Sequence, residues 1–375
     1  MKNIEIYEVK NRNDLQKFIK FPDQLYAKND FFIPAIHKSE YRTLSHKTNP
    51  AFEYCISKYW LAKSQGRIVG RIAGIINTKY NDHHNIKYAR FGWLDFIEDD
   101  DVLRLLLQTV ETWALENNME YVHGPLGFVS FDPSGILIEG FDEFPTSVAL
   151  YNYPYYAKLI EKCEYTKEKE WIEYNITVPD EVPENVVRSA ELIKRRYKLH
   201  EVEINNRKDI LKYSNDVFNL INIAYKDLFI FSELSPQEAA IFSKQFLGFL
   251  KPEFVSFILD ENEEMVAFGI VTPSIAKALK KCNGKLFPFG FLRIMRALKK
   301  TDTADLLLIA INPAYQNRGL HAIIFNKITR NLILNNIKKV ESNREEEDNI
   351  KVKNLWNHYE HRMHKRVRCY SKKLI

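Results

Sequence analysis

The residues best placed to do chemistry lie in one short run, Ile311-Asn312-Pro313-Ala314-Tyr315-Gln316-Asn317-Arg318-Gly319-Leu320-His321. The apolar stretch that ends at Ile311 reads as a strand, Asn312-Pro313 stops it, and a helical pattern begins within a few residues. Such a joint turns unpaired backbone N–H groups and the positive end of a helix dipole toward one loop, and Arg318 adds a full charge. That is the chemistry of an anion site, and a pyrophosphate suits it; an ordinary strand–turn–helix connection is the plainer alternative. Other candidates are weaker. His83-His84 and the set His358, His361 and His364 invite a metal. The set is spaced i, i+3, i+6, however, so its outer members diverge around a helix, and nothing completes an HExxH-like pattern. No metal site is expected. Cys55, Cys163, Cys282 and Cys369 are far apart, with no CxxC pair and no GxSxG nucleophile elbow elsewhere.

The elements that must position this loop recur twice. YWLAKSQGRIVGRIAGI and FVSFILDENEEMVAFGI each read as two strands around a polar turn. Each is followed by another strand, ARFGWLDF or ADLLLIAI, and by an amphipathic helix, Val102 to Glu116 or Tyr315 to Asn335. Both helices run into an Asn-Asn pair and a further strand, NNMEYV and NNIKKV. One more helix follows in each half, Tyr155 to Lys162 and Ile350 to Arg362, then a closing strand, Lys169 to Val178 and Lys365 to Leu374. Strands alternating with helices predict an α/β (α+β) fold with mixed sheets covered by helices. The prolines of PDEVPEN place the boundary between domains 1–178 and 179–375.

This order resembles the GNAT N-acyltransferase fold, present in tandem. GNAT domains carry Gln/Arg-x-x-Gly-x-Gly/Ala after their fourth strand. Gln316 and Gly319 match it, while His321 stands at the third place with Ala322 one position late. The resemblance implies that Ile311, Asn312, Gln316, Asn317, Arg318, Gly319, Leu320 and His321 bind acetyl-coenzyme A or a longer acyl-coenzyme A. Tyr359, in His358-Tyr359-Glu360, matches the family tyrosine that protonates the departing thiolate, although the family's following Gly-Phe is Met363-His364 here. A packing role for Tyr359 is the alternative. Glu341, at the end of a strand, is a candidate general base, and backbone amides near Ile311 are expected to polarise the thioester carbonyl. GP at Gly124, GILIEGFDEFP at Gly135 and YNYPYY at Tyr151 also resemble uncharacterised bacterial two-domain GNAT-like proteins.

The first half is expected to be the degenerate copy. Four acidic residues, Glu98 to Asp101, follow its corresponding strand and would repel phosphates, although they suit a helix N-terminus. Ile160 stands where the second half has Tyr359. Its long loop, 123–154, could shape an acceptor pocket through Asp132, Glu139 and Asp142, or could serve only in packing. With 54 Lys and Arg against 49 Asp and Glu, the 375-residue chain is nearly balanced, so no nucleic acid partner is expected. The N-terminal residues show no signal-peptide core, and the purest apolar run, Leu306 to Ile311, is too short to span a bilayer. A cytoplasmic protein is expected. One segment departs from the balance: no Asp or Glu lies between Glu264 and Asp302, and KLFPFGFLRIMRALKK, 285–300, interleaves basic and apolar residues. Either its apolar face packs on the first domain or it meets the inner membrane face as a peripheral contact. The function that follows is acyl transfer from acyl-coenzyme A to an amine acceptor. The alternatives are a long-chain transfer to a lipid amine at the membrane and a non-catalytic binding protein of the same fold.

Overall fold

The computed structural model describes residues 3–245, 247 and 250–375. Its elements up to residue 224 are β1 (Ile4–Glu8), α1 (Arg12–Leu25), α2 (His37–Leu44), β2 (Cys55–Ser64), β3 (Arg67–Asn77), α3 (Thr78–His84), β4 (Tyr88–Phe96), α4 (Asp100–Glu116), β5 (Tyr121–Gly124), β6 (Ile136–Glu139), α5 (Tyr155–Lys162), β7 (Thr166–Thr177), α6 (Glu184–Tyr197), β8 (His200–Glu201), α7 (Arg207–Lys212) and α8 (Ser214–Ala224). There follow α9 (Pro236–Gln245), β9 (Val255–Leu259), β10 (Met265–Pro273), α10 (Ala276–Cys282), α11 (Gly290–Ala297), β11 (Thr303–Ile311), α12 (His321–Leu334), β12 (Lys339–Glu341), β13 (Glu345–Glu346), α13 (Ile350–Lys353) and β14 (His361–Lys373).

These elements gather into two compact units. The first comprises Met1–Ile172, Ala276–Met295 and His364–Ile375, and the second Glu173–Ile275 and Arg296–Met363. In the first unit, β1 to β4 form an antiparallel meander and β5 joins β4 in parallel through Tyr88↔Tyr121, Ala89↔Val122 and Arg90↔His123. Helix α4 covers this sheet because its apolar residues return every three or four positions. Val102, Leu103, Leu106, Leu107, Val110, Trp113 and Ala114 are all buried. Each large aliphatic among them contributes about 1.5–3 kcal/mol by burial. Asp99 caps α4 by accepting from the Asp101 and Val102 amides, so the acidic run serves the helix start as its charge suggested.

The second unit repeats the plan. β9 and β10 form a hairpin, β10 pairs antiparallel with β11, and β12 joins β11 in parallel through Thr303↔Lys339, Ala304↔Val340 and Asp305↔Glu341. Helix α12 covers it, and Gly269 permits the close approach: a Cβ there would lie 2.3 Å from Ile324 Cγ2. The two covering helices also end alike. Asn117 and Asn335 are the C-terminal caps, and Asn118 and Asn336 turn the chain at φ of 60° and 57°.

The closing strands do not stay with their own halves. β14, from the end of the chain, pairs antiparallel with β5 and β6 of the first unit. The last residues of β7, from the first half, pair with β12 of the second, Thr177↔Lys339 through Asn175↔Glu341. The expected helix from Ile350 to Arg362 is also corrected. Only Ile350–Lys353 is α-helical, Asn354–His358 is a 3₁₀ turn, and the strand begins at His361. The chain is already engaged in extended pairing by Glu360, whose carbonyl accepts from the Thr177 amide at 2.8 Å.

Candidate functional site

In the second unit β11 and β12 pair over only three residues, and β11 then runs on from Leu306 to Ile311 without a β12 partner. Two parallel strands that part in this way leave a fork in the sheet. The β10–β11 ladder breaks at the same level, where Ile270 faces Leu308 and Val271 faces Leu306, so Leu307 is the extra residue of a bulge. The Asn343 side-chain amide donates to the Leu307 carbonyl at 3.3 Å.

The two faces of the sheet differ at the fork. On the α12 face lies a small apolar pocket of about 40 Å³, lined among others by Leu306, Phe325, Thr329, Val340, Trp356 and Tyr359. Tyr359 therefore sits on the pocket wall although it is not helical. Its hydroxyl lies 3.2 Å from Thr329 Oγ1, its ring meets Phe325 edge-on at 5.9 Å, and burial raises its pKa, opposed by the Thr329 hydrogen bond. Val340 faces this pocket, so strand alternation turns Glu341, and its partner Asp305, to the opposite face. Asp305 is 1% exposed. The buried Glu173 pairs with the half-buried Arg344 at 3.5 Å. Glu345 accepts from the Trp356 indole N–H at 3.0 and 3.2 Å, and burial pushes its carboxyl up to about 7.

The loop from Ile311 to His321 adjoins the end of β11. Asn312 donates its backbone N–H to the Val266 carbonyl at 2.8 Å, and its side chain accepts from the Ala314 amide at 3.0 Å. Gln316 ends the short turn that follows. Asn317 and Gly319 have φ of 60° and 82°, and a Cβ on Gly319 would lie 2.7 Å from Ile193 Cδ1. The left-handed backbone favours glycine there, while the methyl end of Ile193 can shift to admit a side chain. Arg318 is exposed, with its guanidinium 5.1 Å from the ring centres of both Tyr197 and Tyr315. Leu320 is fully buried, and no side chain caps α12. His321 opens the helix half-buried, and burial, with a smaller contribution from His358, lowers its pKa. Burial thus disfavours the charged imidazolium at the helix start.

Phosphates fit this loop, since its backbone turns twice through the left-handed region ahead of an uncapped helix N-terminus beside Arg318. Thr329, Trp356 and Glu345 are the site neighbours that sequence reasoning missed. Thr329 looked like an ordinary helix residue, and Glu345 stands in an acidic run that reads as a solvated turn. The only sequence signal for either was proximity to Tyr359 in the repeat.

The first unit has the same fork and fills it with its own chain. After Arg90↔His123 the strands part, and the Leu126 amide donates to the Phe91 carbonyl at 2.8 Å in the gap. Leu126 and Phe128 are fully buried. Glycine is needed on both sides: a Cβ on Gly92 would lie 2.3 Å from the Leu126 carbonyl oxygen, and one on Gly124 2.2 Å from that of Phe91. Arg90, itself buried, donates to the Gly127 and Phe128 carbonyls at 2.9 and 3.1 Å. Asp132 accepts from the Phe128 and Val129 amides, and Glu139 bonds Arg366 at 3.1 Å. Loop 123–154 is thus engaged in packing, with Ile136–Glu139 forming a strand inside it.

No family model matches the chain. It is 28% identical over 316 residues to Protein YghO of Escherichia coli, covering 84% of this chain and 80% of that one. It is 26% identical over 325 residues to a bacterial ceramide synthase of Caulobacter vibrioides, covering 84% and 82%. Among solved structures, a tandem GNAT protein from the clavulanic acid biosynthesis pathway matches 100% of this chain and 99% of its own at a TM-score of 0.57 and 11% identity. A GCN5-related N-acetyltransferase from Sphaerobacter thermophilus matches 99% and 96% at a TM-score of 0.53 and 9% identity. Such identities speak for the fold, and they agree with the two forked sheets and their covering helices. The chain is therefore a tandem protein of the GNAT N-acyltransferase fold.

Proposed function

We propose that the second unit transfers an acyl group from an acyl-coenzyme A to an amine. The observation that carries this reading is the two-faced fork: an apolar pocket with the Tyr359 hydroxyl on one side and the Asp305–Glu341 carboxylates on the other. The loop amides from Gln316 to His321 and Arg318 hold the phosphates, and the pocket beside Phe325 and Trp356 receives the acyl chain. The bound co-substrate supplies the activated thioester. Glu341 takes a proton from the acceptor ammonium, whose nitrogen then forms the amide bond as the carbon–sulfur bond breaks. Tyr359, kept protonated by its burial, gives its proton to the departing sulfur and regains one from the nitrogen, which sheds its second proton as it becomes the amide. Backbone groups beside the Leu307 bulge are placed to polarise the carbonyl, a role first sought near Ile311.

A lipid amine is the acceptor class favoured by two observations. The pocket is almost wholly apolar, and one relative carries the name of a ceramide synthase, ceramides being fatty amides of long-chain amino alcohols. The test is release of free coenzyme A from acyl donors of two to sixteen carbons, offered with polar amines and with long-chain amino alcohols. The expected result is turnover that rises with donor length and requires an amine. Binding of acyl-coenzyme A without release under any pairing would favour the non-catalytic reading that His321 suggests.

A further inference from the structure

The segment between β10 and β11 carries a feature that acyl transfer does not use. Phe287, Phe289, Phe291 and Leu292 are 80%, 65%, 46% and 62% exposed. Elsewhere the exposed large apolar residues stand singly along the chain, apart from Val148 and Leu150, as is ordinary for a protein surface. Here three phenylalanines and a leucine project within six residues. Of the helical face Phe291, Ile294, Met295 and Leu298, only Phe291 is exposed, while Phe287, Phe289 and Leu292 project beside it.

What is buried is the base of the segment. Ala276, Ala278 and Cys282 of α10 are buried, as is Gly290 at the start of α11. The Gly284 carbonyl accepts from the His37 amide at 3.0 Å, and a Cβ on Gly284 would lie 2.3 Å from the His37 ring, which is itself bonded to Asp23 at 2.6 Å. Lys280 donates to the Asn29 carbonyl at 3.2 Å, and the Phe291 amide to the Leu286 carbonyl at 2.8 Å, closing the loop. The aromatic tip is therefore held out from a fixed base within the first unit. Its surroundings are basic. Lys277, Lys281, Lys285 and Arg293 are exposed, and Lys280 lies 3.7 Å from Asp30.

We propose that this tip docks the protein on the surface of an anionic phospholipid bilayer, with Phe287, Phe289, Phe291 and Leu292 entering the interface and the flanking lysines and Arg293 meeting the headgroups. Charge complementarity selects this occupant. An apolar tip alone would suit any greasy partner, whereas a tip ringed by cations suits a surface that offers hydrocarbon beneath negative charge. No helix among the described residues is long and apolar enough to cross a membrane, so the contact is peripheral. The inference does not depend on acyl transfer, and its test uses no acyl donor.

The experiment is flotation of the full chain with vesicles of phosphatidylcholine alone or with about one-third phosphatidylglycerol, at low and high salt. The wild type is expected to float with the anionic vesicles, to stay behind with the neutral ones, and to be released by salt. Replacing all four apolar tip residues by serine should abolish flotation while the melting temperature is unchanged. Lys281→Ala and Lys285→Ala should each lower partition about fivefold. No flotation with anionic vesicles at low salt overturns the proposal, as does flotation that survives the four serine replacements. Concentration-dependent dimers that vanish in the serine variant, without flotation of the wild type, would assign the tip to a second copy of the chain instead.

Discussion

Tyr359 and Asp132 illustrate how burial sets the chemistry of single residues. Tyr359 lies against Thr329 on the wall of an apolar pocket, and its raised pKa keeps the proton on the phenol. If it protonates the leaving thiolate, Tyr359→Phe should slow turnover about 100- to 10,000-fold while acyl-coenzyme A affinity, measured by calorimetry, is preserved. An unchanged rate would make it a packing residue. Asp132 is a carboxylate that burial pushes up to about 7 while the Val129 and Phe128 amides pull the other way. The native state therefore holds a proton that the unfolded chain gives up in the ordinary carboxylate range. Stability should fall as pH rises from that range to about 7, and level off above it. Asp132→Asn keeps an oxygen for the two amides and has no charge to bury. Its urea midpoint should lose this fall, seen as a stability gap from wild type that changes sign or size between pH 4.5 and pH 7.5.

At the level of elements, the two strand forks give the reason to expect coenzyme A at the second unit and not at the first. In the first, Leu126 and Phe128 occupy the gap and the Phe91 carbonyl is spent on the Leu126 amide. In the second, β11 has no β12 partner beyond Asp305, and side chains rather than backbone meet its carbonyls, Asn343 at Leu307 and Tyr225 at Ile309. One coenzyme A per chain is expected by calorimetry, and a stoichiometry near two would defeat the comparison. Gly319→Glu should remove that binding while circular dichroism stays native, because bulk and negative charge would meet the phosphates and Ile193. Gly92→Val acts on the other fork. Its side chain would collide with the Leu126 carbonyl, and a loss of several °C in melting temperature without loss of coenzyme A binding is expected.

Over the whole molecule the closing strands tie the two halves of the chain together. β14 carries the buried Val367, Cys369 and Tyr370 into the first unit, and the end of β7 carries Ile176 into the second. Fragments 1–178 and 179–375 therefore each lack a strand that one of their sheets needs. Expressed separately they should be insoluble or lack a cooperative melt, and expressed together they should recover a single stable complex. A fragment that folds and melts cooperatively alone would show the exchanged strand to be dispensable.

What the sequence determined by itself was the repeat and its local grammar. Hairpins with polar turns, covering helices with apolar spacing and the paired asparagines that end them are all set by neighbours in the chain, and they appear where the pattern put them, except that the second covering helix begins at His321 rather than Tyr315. The loop from Ile311 to His321 was legible for the same reason, since a strand end, a proline and a helix start are local signals. Tyr359 was placed on a helix and lies just past a 3₁₀ turn with extended backbone leading into a strand, because long-range pairing by Glu360 overrides the local helical pattern. The filled fork, the exchanged strands and the opposite faces of Val340 and Glu341 depend on which distant segment lies alongside. Local residue types do not encode that choice. It is made by burial and hydrogen bonding across the sheet, and so only the tertiary structure decided it.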